Sequence, residues 1–404
     1  MDFTLSTKLK TFKNTVRRIV EVECIPMEEH FLSNWKNTSR NVELDITSEI
    51  DKFSTKLISH LKTVSQDAGI FHLHLPKKYG GGGMGTLGAV VINEEIHRSL
   101  VHLPLAQCAN ILIKHATTRQ EQQYTVPTIK GQKSAALYQA AAGADFHLNN
   151  PTKLTAVRYE DNWIINGVIP YMANINSADY IIIQAISDKT KHKETGLTLF
   201  ILDTNSQGLK IDPIETWLTT PQNPQYCVSL NNVRVPIWKT LGKEGNGFYL
   251  GQHLLSEHEN LMSGAISLGI MERGLAMATK RSLNRVTFGR PIAERQAIQW
   301  MLVDIFVNIK ALRSITHSAA WKNDNGHDIN IESSMIKYCA AEWGWRSIDK
   351  IMQIFGGLGE RIDTPIPHWY HQLRHSRISN GTSEMHQTIL ARSLLSKTLE
   401  WEEN

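Results

Sequence analysis

Two nearby glutamates lie in a stretch with helical spacing, where a carboxylate could act as a general base. Glu259 falls on one stripe of the predicted helix, and the other members of this stripe are apolar: Leu255, Met262 and Ile266. Burial among apolar neighbours raises the pKa of a carboxylic acid, which suits it to proton abstraction. Glu257, on the neighbouring stripe, is the rival. Either glutamate could instead be a solvated side chain at a helix edge.

A run of glycines has the residue types that cradle phosphates. Gly80, Gly82 and Gly85 match the G-x-G-x-x-G pattern of dinucleotide sites. The preceding residues, LPKKY, do not resemble a buried strand, no β-α-β unit follows, and no Lys-Ser or Lys-Thr pair follows as in a P-loop. The run therefore predicts a turn rather than a nucleotide site.

Cysteine and histidine spacings do not favour a metal centre. The four cysteines lie far apart and form no C-x-x-C pair: Cys24, Cys108, Cys227 and Cys339. We interpret them as reduced, mostly buried thiols. His371 and His375 lie four residues apart and could share a helix face, but the sequence indicates no third ligand. We predict no metal.

The composition indicates a globular protein and argues against several function classes. Of 404 residues, 41% are hydrophobic and 20% are charged, and the formal net charge is +4. Short basic clusters at 8–18 and 189–193 fit a solvated surface better than nucleic-acid binding. No segment reaches about 18 apolar residues, and the N-terminus lacks an apolar core of signal-peptide length. We expect no membrane span, no nucleic-acid partner and a cytoplasmic location.

Three zones of different periodicity divide the chain into predicted domains, and the predicted fold class is α+β. Residues 1–130 predict an N-terminal helical domain, with helical spacing in 45–64 and 87–97. Residues 131–240 predict an antiparallel β-barrel, because short β-rich runs alternate with turn residues and no β-α-β alternation is present. Residues 241–404 predict a four-helix bundle.

Within these zones the sequence predicts individual elements. The β-rich runs of the middle domain lie at 152–159, 162–169, 179–186, 197–202 and 225–230. The long helices of the last domain lie at 248–283, 297–321, 331–355 and 383–399. Gly356 and Gly357 should end the third of these helices, since glycine commonly terminates helices.

Three motifs in the last third of the chain give the most specific signal. Residues 285–292 read RVTFGRPI and are followed by Gln296, residues 353–359 read QIFGGLG, and residues 381–384 read GTSE. With these motifs in this order the sequence resembles the acyl-CoA dehydrogenase family, and the resemblance extends over nearly the whole chain. Any one motif alone would equally fit a tight turn or helix packing.

The resemblance implies a homotetramer or homodimer in which FAD lies between subunits. The cofactor contacts that it implies come from all three motifs: Arg285, Thr287, Phe288, Ile292, Gln296, Gln353, Gly356, Gly357, Thr382 and Glu384. An arginine suits the pyrophosphate because its planar fork matches phosphate oxygens. Glycine lets a ligand approach the backbone closely. The reduced flavin would pass its electrons to an electron-transfer flavoprotein.

The resemblance also implies removal of the α proton of an acyl-CoA thioester while the flavin accepts the β hydride. This chemistry needs a base and hydrogen bonds to the thioester oxygen. Most members have a glutamate directly before the GTSE segment, but here Asn380 takes that position and could offer only its backbone N–H. Isovaleryl- and long-chain-type members carry the base nine residues before a Leu-Gly pair, where this chain has Glu259. The resemblance therefore assigns the base to Glu259 and a substrate contact to Glu257.

Other positions depart from the family pattern. Tyr138 and Ala144 replace a hydroxyl residue and a serine that meet the flavin, and Tyr171 and Ala173 replace the usual tryptophan and hydroxyl residue. Asn260 stands where an arginine usually follows the base. We still expect flavin contacts from Tyr138, Tyr171 and Ala173, and substrate contacts from Ala144 and Asn260.

Three functional hypotheses follow from these observations. The leading one is FAD-dependent α,β-dehydrogenation of an acyl-CoA with Glu259 as the base. The second keeps the fold but changes the carrier or the chemistry, for example an acyl-carrier-protein dehydrogenase, a desulfinase or an oxidase. The third is a non-catalytic flavin-binding homologue, which the residues Asn380, Ala173 and Ala144 motivate.

Overall fold

The computed structural model divides into two compact units. It describes residues 4–29, 32, 46–106, 108–138, 154–173, 175–191, 193–214 and 225–396. The helical unit combines Met1–Ile50, Met84–Leu103 and Ser256–Asn404, and the sheet unit combines Asp51–Gly83 and Pro104–Leu255. The division into three domains at 1–130, 131–240 and 241–404 stays a prediction.

The α-helices in chain order are α1 Thr7–Ile19, α2 Ile46–Asp67, α3 Gly85–Ile96, α4 Ala109–His115, α5 Thr118–Gln120, α6 Val126–Ile129, α7 Lys193–Gly196, α8 Gly247–Leu254, α9 Asn260–Asn284, α10 Gln296–Asp324, α11 Asn330–Phe355, α12 Pro365–Ser376 and α13 Ser383–Leu395. Short π-helical turns occupy Val20–Cys24, Glu121–Thr125 and Leu255–Glu259. The predicted helices 297–321 and 331–355 are present as α10 and α11, whereas a π turn divides the predicted helix 248–283 into α8 and α9. The prediction 383–399 corresponds to α13, and its residues 397–399 lie outside the described residues. The helix α12 is additional.

The core of the helical unit forms where α3, α9, α10 and α11 pack together. Its buried apolar residues include Val90, Leu261, Ala265, Ala320 and Ile336. Glycines allow close contact: a Cβ on Gly269 would lie 2.3 Å from the carbonyl oxygen of Glu94. Because backbone atoms cannot move aside as a side-chain end can, α9 packs against α3 only with glycine at this point.

A network of ion pairs lies beside this core. The carboxylate oxygens of Glu94, Glu95 and Glu272 lie within 4.8 Å of one another, and arginines surround them. Burial alone would raise the pKa of Glu94, but hydrogen bonds from His317 and Arg313 lower it to about 2. Arg17 Nε also lies 2.8 Å from Glu95 Oε2. The cluster is therefore an internally neutralised structural network rather than an open set of acidic ligands.

The strands are β1 Ala135–Tyr138, β2 Thr155–Tyr159, β3 Asn162–Ala173, β4 Tyr180–Ile186, β5 Leu197–Asp203, β6 Leu209–Pro213, β7 Gln225–Pro236, β8 Thr240–Leu241, β9 Val286–Thr287 and β10 Arg290–Pro291. The main sheet has eight strands in the order β6-β7-β3-β2-β4-β5-β8, and β1 pairs with β4. The β1–β4 and β2–β4 pairs are parallel and the others are antiparallel. The sheet is thus mixed, which corrects the purely antiparallel expectation.

Alternating side chains of β4 explain why this strand lies at the centre of the sheet unit. Ile181 and Ile183 pack into one apolar cluster with Trp163, whereas Tyr180 and Ile182 pack into another. A strand that is apolar on both faces must be covered on both faces. This double burial explains the nearly continuous apolar sequence of β4.

The glycine run forms a turn, as the sequence predicts. Gly80 adopts a left-handed conformation (φ 87°) after a short 3₁₀ turn. A Cβ on Gly81 would lie 2.2 Å from the carbonyl oxygen of Leu75. The glycines therefore serve close backbone packing within the sheet unit. Among the helices that the described residues form, none has the length and apolarity needed to cross a membrane.

Candidate functional site

Glu259 lies at a helix irregularity in the helical unit. The sequence predicts one continuous helix over 248–283, but a π-helical turn at Leu255–Glu259 separates α8 from α9. A π turn accommodates one residue more than an α turn, so side chains on either side of it no longer share the predicted stripe. The side chain of Glu259 is half-buried. Glu257 is also half-buried, within the same turn.

The side chain of Asn380 meets the carboxylate of Glu259. Asn380 Nδ2 lies 3.5 Å from Glu259 Oε2. Asn380 lies between α12 and α13 with a left-handed backbone (φ 51°), a conformation that asparagine tolerates better than most side chains. The structure therefore places side by side the two residues to which the resemblance gives catalytic roles, and those roles stay predictions.

A buried lysine lies in the same region, and the sequence analysis missed it. Lys337 on α11 is only 2% exposed, and its Nζ donates to the carbonyl oxygen of Ser376 at 2.5 Å. Burial lowers the pKa of Lys337 to about 8, although the charge of Glu259 acts in the opposite direction. The charge of Lys337 thus acts on Glu259, which the apolar stripe of the sequence did not predict.

Asn260, predicted to contact substrate, is buried. It is 4% exposed, and its Nδ2 donates to Ser333 Oγ at 3.4 Å. Within the described parts of the chain, its Oδ1 has no hydrogen-bond partner. The side chain joins the start of α9 to the start of α11 and leaves one polar atom of the site unsatisfied.

The RVTFGRPI segment forms the small β9–β10 hairpin at the end of α9. Phe288 at its tip is 97% exposed and has a left-handed backbone (φ 52°). Arg295 braces the hairpin, because its guanidinium lies 5.8 Å from the Phe288 ring and donates to the Thr287 carbonyl oxygen at 3.0 Å. Arg285 and Gln296 are exposed before and after the hairpin, and Ile292 is half-buried.

The other two motifs lie at helix ends. Gln353, Gly356 and Gly357 are exposed at the end of α11, and a Cβ on either glycine would meet no atom within 4 Å. Thr382 caps α13 by accepting a hydrogen bond from the Met385 N–H at 3.2 Å. Glu384 is exposed in the first turn of α13.

A groove near the first two motifs adds two cations that the sequence analysis did not identify. Its lining residues are Met277, Lys280, Arg281, Asn284 and Phe355. Arg281 Nε is buried and lacks a hydrogen-bond partner among the described residues. The signal was visible in the sequence, because Lys280, Arg281 and Arg285 lie within six residues of each other. Two cations and an unpartnered guanidinium N–H beside exposed donors suit an anionic group such as a pyrophosphate.

The predicted flavin contacts of the sheet unit are partly described. Tyr138 ends β1 and is half-buried, and Tyr171 on β3 is 47% exposed. Ala173, the last residue of β3, is half-buried. Ala144 lies outside the described residues. Roles for these four positions stay predictions.

Known protein families and relatives match most of the chain. Residues 6–132 match the model "Acyl-CoA dehydrogenase, N-terminal domain" and residues 245–395 match "Acyl-CoA dehydrogenase, C-terminal domain". A 3-(aryl)acrylate reductase of Clostridium sporogenes is 31% identical over 87% of this chain and 93% of that protein. A short-chain specific acyl-CoA dehydrogenase of Clostridium acetobutylicum is 27% identical over 97% of this chain and 99% of that protein. The solved butyryl-CoA dehydrogenase of Megasphaera elsdenii shares the fold, with a TM-score of 0.82 and 24% identity, covering 98% and 100% of the two chains.

Proposed function

Because the chain belongs to the acyl-CoA dehydrogenase family, we propose that it is an FAD enzyme that moves hydrogen across the α,β bond of an acyl thioester, with Glu259 as the base. The observation that carries this proposal is the half-buried Glu259 carboxylate beside the Asn380 amide. A carboxylate in a fixed position can act as a general base toward a substrate proton.

The chain's own residues account for the proton step. Glu259 removes the α proton, and negative charge then develops on the thioester oxygen. The backbone N–H of Asn380 is the proposed donor to that oxygen, where a fixed donor stabilises the developing charge. Glu257 lies in the same π turn. It is proposed to contact a part of the substrate other than the α and β carbons.

The donor set of the helical unit fits FAD. The exposed side chains of Arg285, Gln296 and Gln353 supply donors, and the open space at Gly356 and Gly357 lets a ligand approach the backbone. Lys280 and Arg281 add positive charge for a pyrophosphate. When bound, FAD would supply the flavin ring that accepts the hydride from the β carbon. An electron-transfer flavoprotein is the proposed electron acceptor.

Reduction of an unsaturated substrate is the second candidate function. A relative that matches 87% of the chain is named as a 3-(aryl)acrylate reductase. In that direction a protonated Glu259 would give its proton to the α carbon, so the same residue serves both reactions. Anaerobic assays with saturated thioesters and, separately, with pre-reduced enzyme and α,β-unsaturated acids or thioesters distinguish the two directions.

The test of the proposal is a flavin spectrum. The purified protein should carry a yellow chromophore or take one up from added FAD, and an anaerobic panel of acyl-CoAs should bleach it with at least one member. Glu259→Gln should keep the bound flavin but slow the bleaching by about a hundred- to ten-thousand-fold, the usual contribution of a general base.

Glu257→Gln is the matched control, two residues away in the same turn. It should raise KM for the thioester and leave kcat close to the parent value, because it removes binding rather than proton transfer. A colourless protein that cannot be reconstituted with FAD contradicts the proposal. Bleaching at the parent rate in Glu259→Gln removes Glu259 from the mechanism.

A further inference from the structure

The side chain of Asn380 has a role of its own. A carboxamide NH₂ can only donate, and here Nδ2 faces Oε2 of Glu259 at 3.5 Å. We propose that the Asn380 side chain is a positioning residue that holds the Glu259 carboxylate in place for the thioester. This inference rests on the proposed function, because it concerns the efficiency of the same base.

The segment that carries Asn380 is anchored to the long helix α11. Lys337 Nζ donates to the Ser376 carbonyl oxygen at 2.5 Å. One residue later, Arg377 Nε donates to Glu342 Oε1 at 2.6 Å. Both anchors are buried side chains of α11, with Lys337 2% and Glu342 6% exposed. The path from the end of α12 to Asn380 is therefore fixed by two charged contacts within four residues.

A third contact holds the Asn380 backbone. His386 on α13 is 3% exposed, and its Nε2 lies 3.4 Å from the Asn380 carbonyl oxygen. Burial lowers the pKa of His386 to about 4, so the ring is neutral near pH 7 and adds no charge there. The backbone on both sides of the Asn380 amide is therefore held from α11 and α13.

The amide places a neutral donor beside the half-buried carboxylate. Glu257 and His258 share its π turn, and the charge of Lys337 on α11 acts on it. His375 on α12 and His386 on α13 interact with Lys337, and burial lowers the pKa of each histidine. A donor to the ionised form lowers the pKa of a carboxyl group, whereas a second carboxylate at the same place would raise it. Asn380 thus acts in the opposite direction to a glutamate or aspartate at this position.

The test replaces Asn380 in the FAD-loaded protein. Asn380→Gly and Asn380→Ala remove the amide, and Asn380→Asp puts a carboxylate in its place. The probe is an acyl-CoA with sulfur at the β position, which can lose its α proton but has no β hydride to give. Exchange of the α protons with deuterated water, followed by NMR against pH, reports the apparent pKa of the base without flavin turnover.

We expect the apparent pKa of exchange to rise by about half a unit to one unit in the glycine and alanine variants, as for loss of one weak bond to a charged group. The aspartate variant should show a larger rise. Glycine suits the left-handed backbone and alanine does not, so agreement between these two variants assigns the shift to the amide rather than to strain. Asn232→Gly is the matched control, because Asn232 has the same backbone conformation (φ 50°) and lies in the sheet unit. Its pH profile should equal that of the parent.

Two outcomes would overturn the inference, and they are distinguishable. If the parent exchanges α protons and all three Asn380 variants keep its pH profile, the positioning role is wrong while the proposed function stands. If the parent and the Asn380 variants exchange none while FAD is bound, the proposed base chemistry fails and the inference fails with it.

Discussion

At the scale of single residues, the burial of Lys337 should change how the stability of the protein depends on pH. Burial lowers the pKa of Lys337 from its ordinary value of 10.5 to about 8. Below pH 8 the folded and unfolded chains both carry this proton. Between the two values the unfolded chain binds more protons than the native chain, so the free energy of unfolding rises with pH across that window.

Replacing Lys337 with methionine should remove this rise. Methionine has a similar length and no charge, so the parent should gain on the order of 3 kcal/mol relative to Lys337→Met between about pH 8 and 10.5. Urea unfolding at half-unit pH steps measures the difference. Lys310→Met, at an exposed position of α10, is the control. A constant offset between parent and Lys337→Met would show that Lys337 does not titrate in this window.

The sequence contained a signal for Lys337 that the analysis did not use. Along α11 the buried residues Ser333, Ile336, Ala340, Ala341 and Gly344 recur at helical spacing, and Lys337 falls on the same face. A lysine on such a face must be paired, because an unpaired buried charge is too costly. Its acceptor, the Ser376 carbonyl oxygen, could not be predicted, since this contact joins residues 39 positions apart.

At the scale of elements, the long periodic helices were predictable and their irregularities were not. The ends of α10 and α11 lie within a few residues of those predicted from apolar spacing. The π turn at Leu255–Glu259 leaves too small a change in spacing to detect over five residues. The helix α12 starts with prolines at 365 and 367, which suit a first helical turn but also resemble a loop.

The sheet shows the same limit. The main strands were predicted from β-rich runs, whereas β1, β6 and β8 were missed. Two of these, β1 and β8, have at most four residues, and a short strand depends on its partner rather than on its own pattern. The parallel pairing of β1 with β4 is likewise determined by tertiary contacts, so the composition of the strands does not predict it.

Packing between α3 and α9 should be sensitive to one glycine. In Gly269→Ala the new methyl group would meet backbone atoms, Glu94 O at 2.3 Å and His97 C at 2.9 Å. Neither can move without shifting α3, so we expect destabilisation of about 1–3 kcal/mol, as for other overpacked sites. Chemical denaturation measures it.

Gly274→Ala is the matched control on the same helix. Its methyl group would meet only the end of the Ile351 side chain, Cδ1 at 2.5 Å, which can change rotamer. Alanine also favours helix over glycine by about 1 kcal/mol, so this variant should be close to neutral. If Gly269→Ala and Gly274→Ala lower the free energy of unfolding equally, the α3–α9 contact is not more closely packed than the contact at Gly274.

At the scale of the whole molecule, an exposed apolar stripe on α10 indicates an interface. Trp300, Val303, Phe306 and Val307 lie on one side of the helix and are each more than half exposed. A contiguous patch of large apolar side chains on one helix face usually marks a docking surface. The family resemblance implies a homotetramer or homodimer, so we expect a second copy of this chain to occupy the stripe.

A charge in the stripe should therefore change the mass of the particle in solution. We expect the parent protein to have the mass of two or more chains, and Phe306→Glu to lower that mass toward that of one chain. Association would bury the unpaired carboxylate, which is unfavourable. Glutamate is a good helix former, so α10 should remain intact by circular dichroism. Sedimentation equilibrium measures the mass, and Val157→Glu, at an exposed position of β2, is the control that should keep the parent's assembly. If Phe306→Glu has the parent's mass, copies of the chain do not meet through α10. If the mass falls and bound FAD is lost with it, the partner supplies part of the cofactor site, as the exposed motif residues lead us to expect.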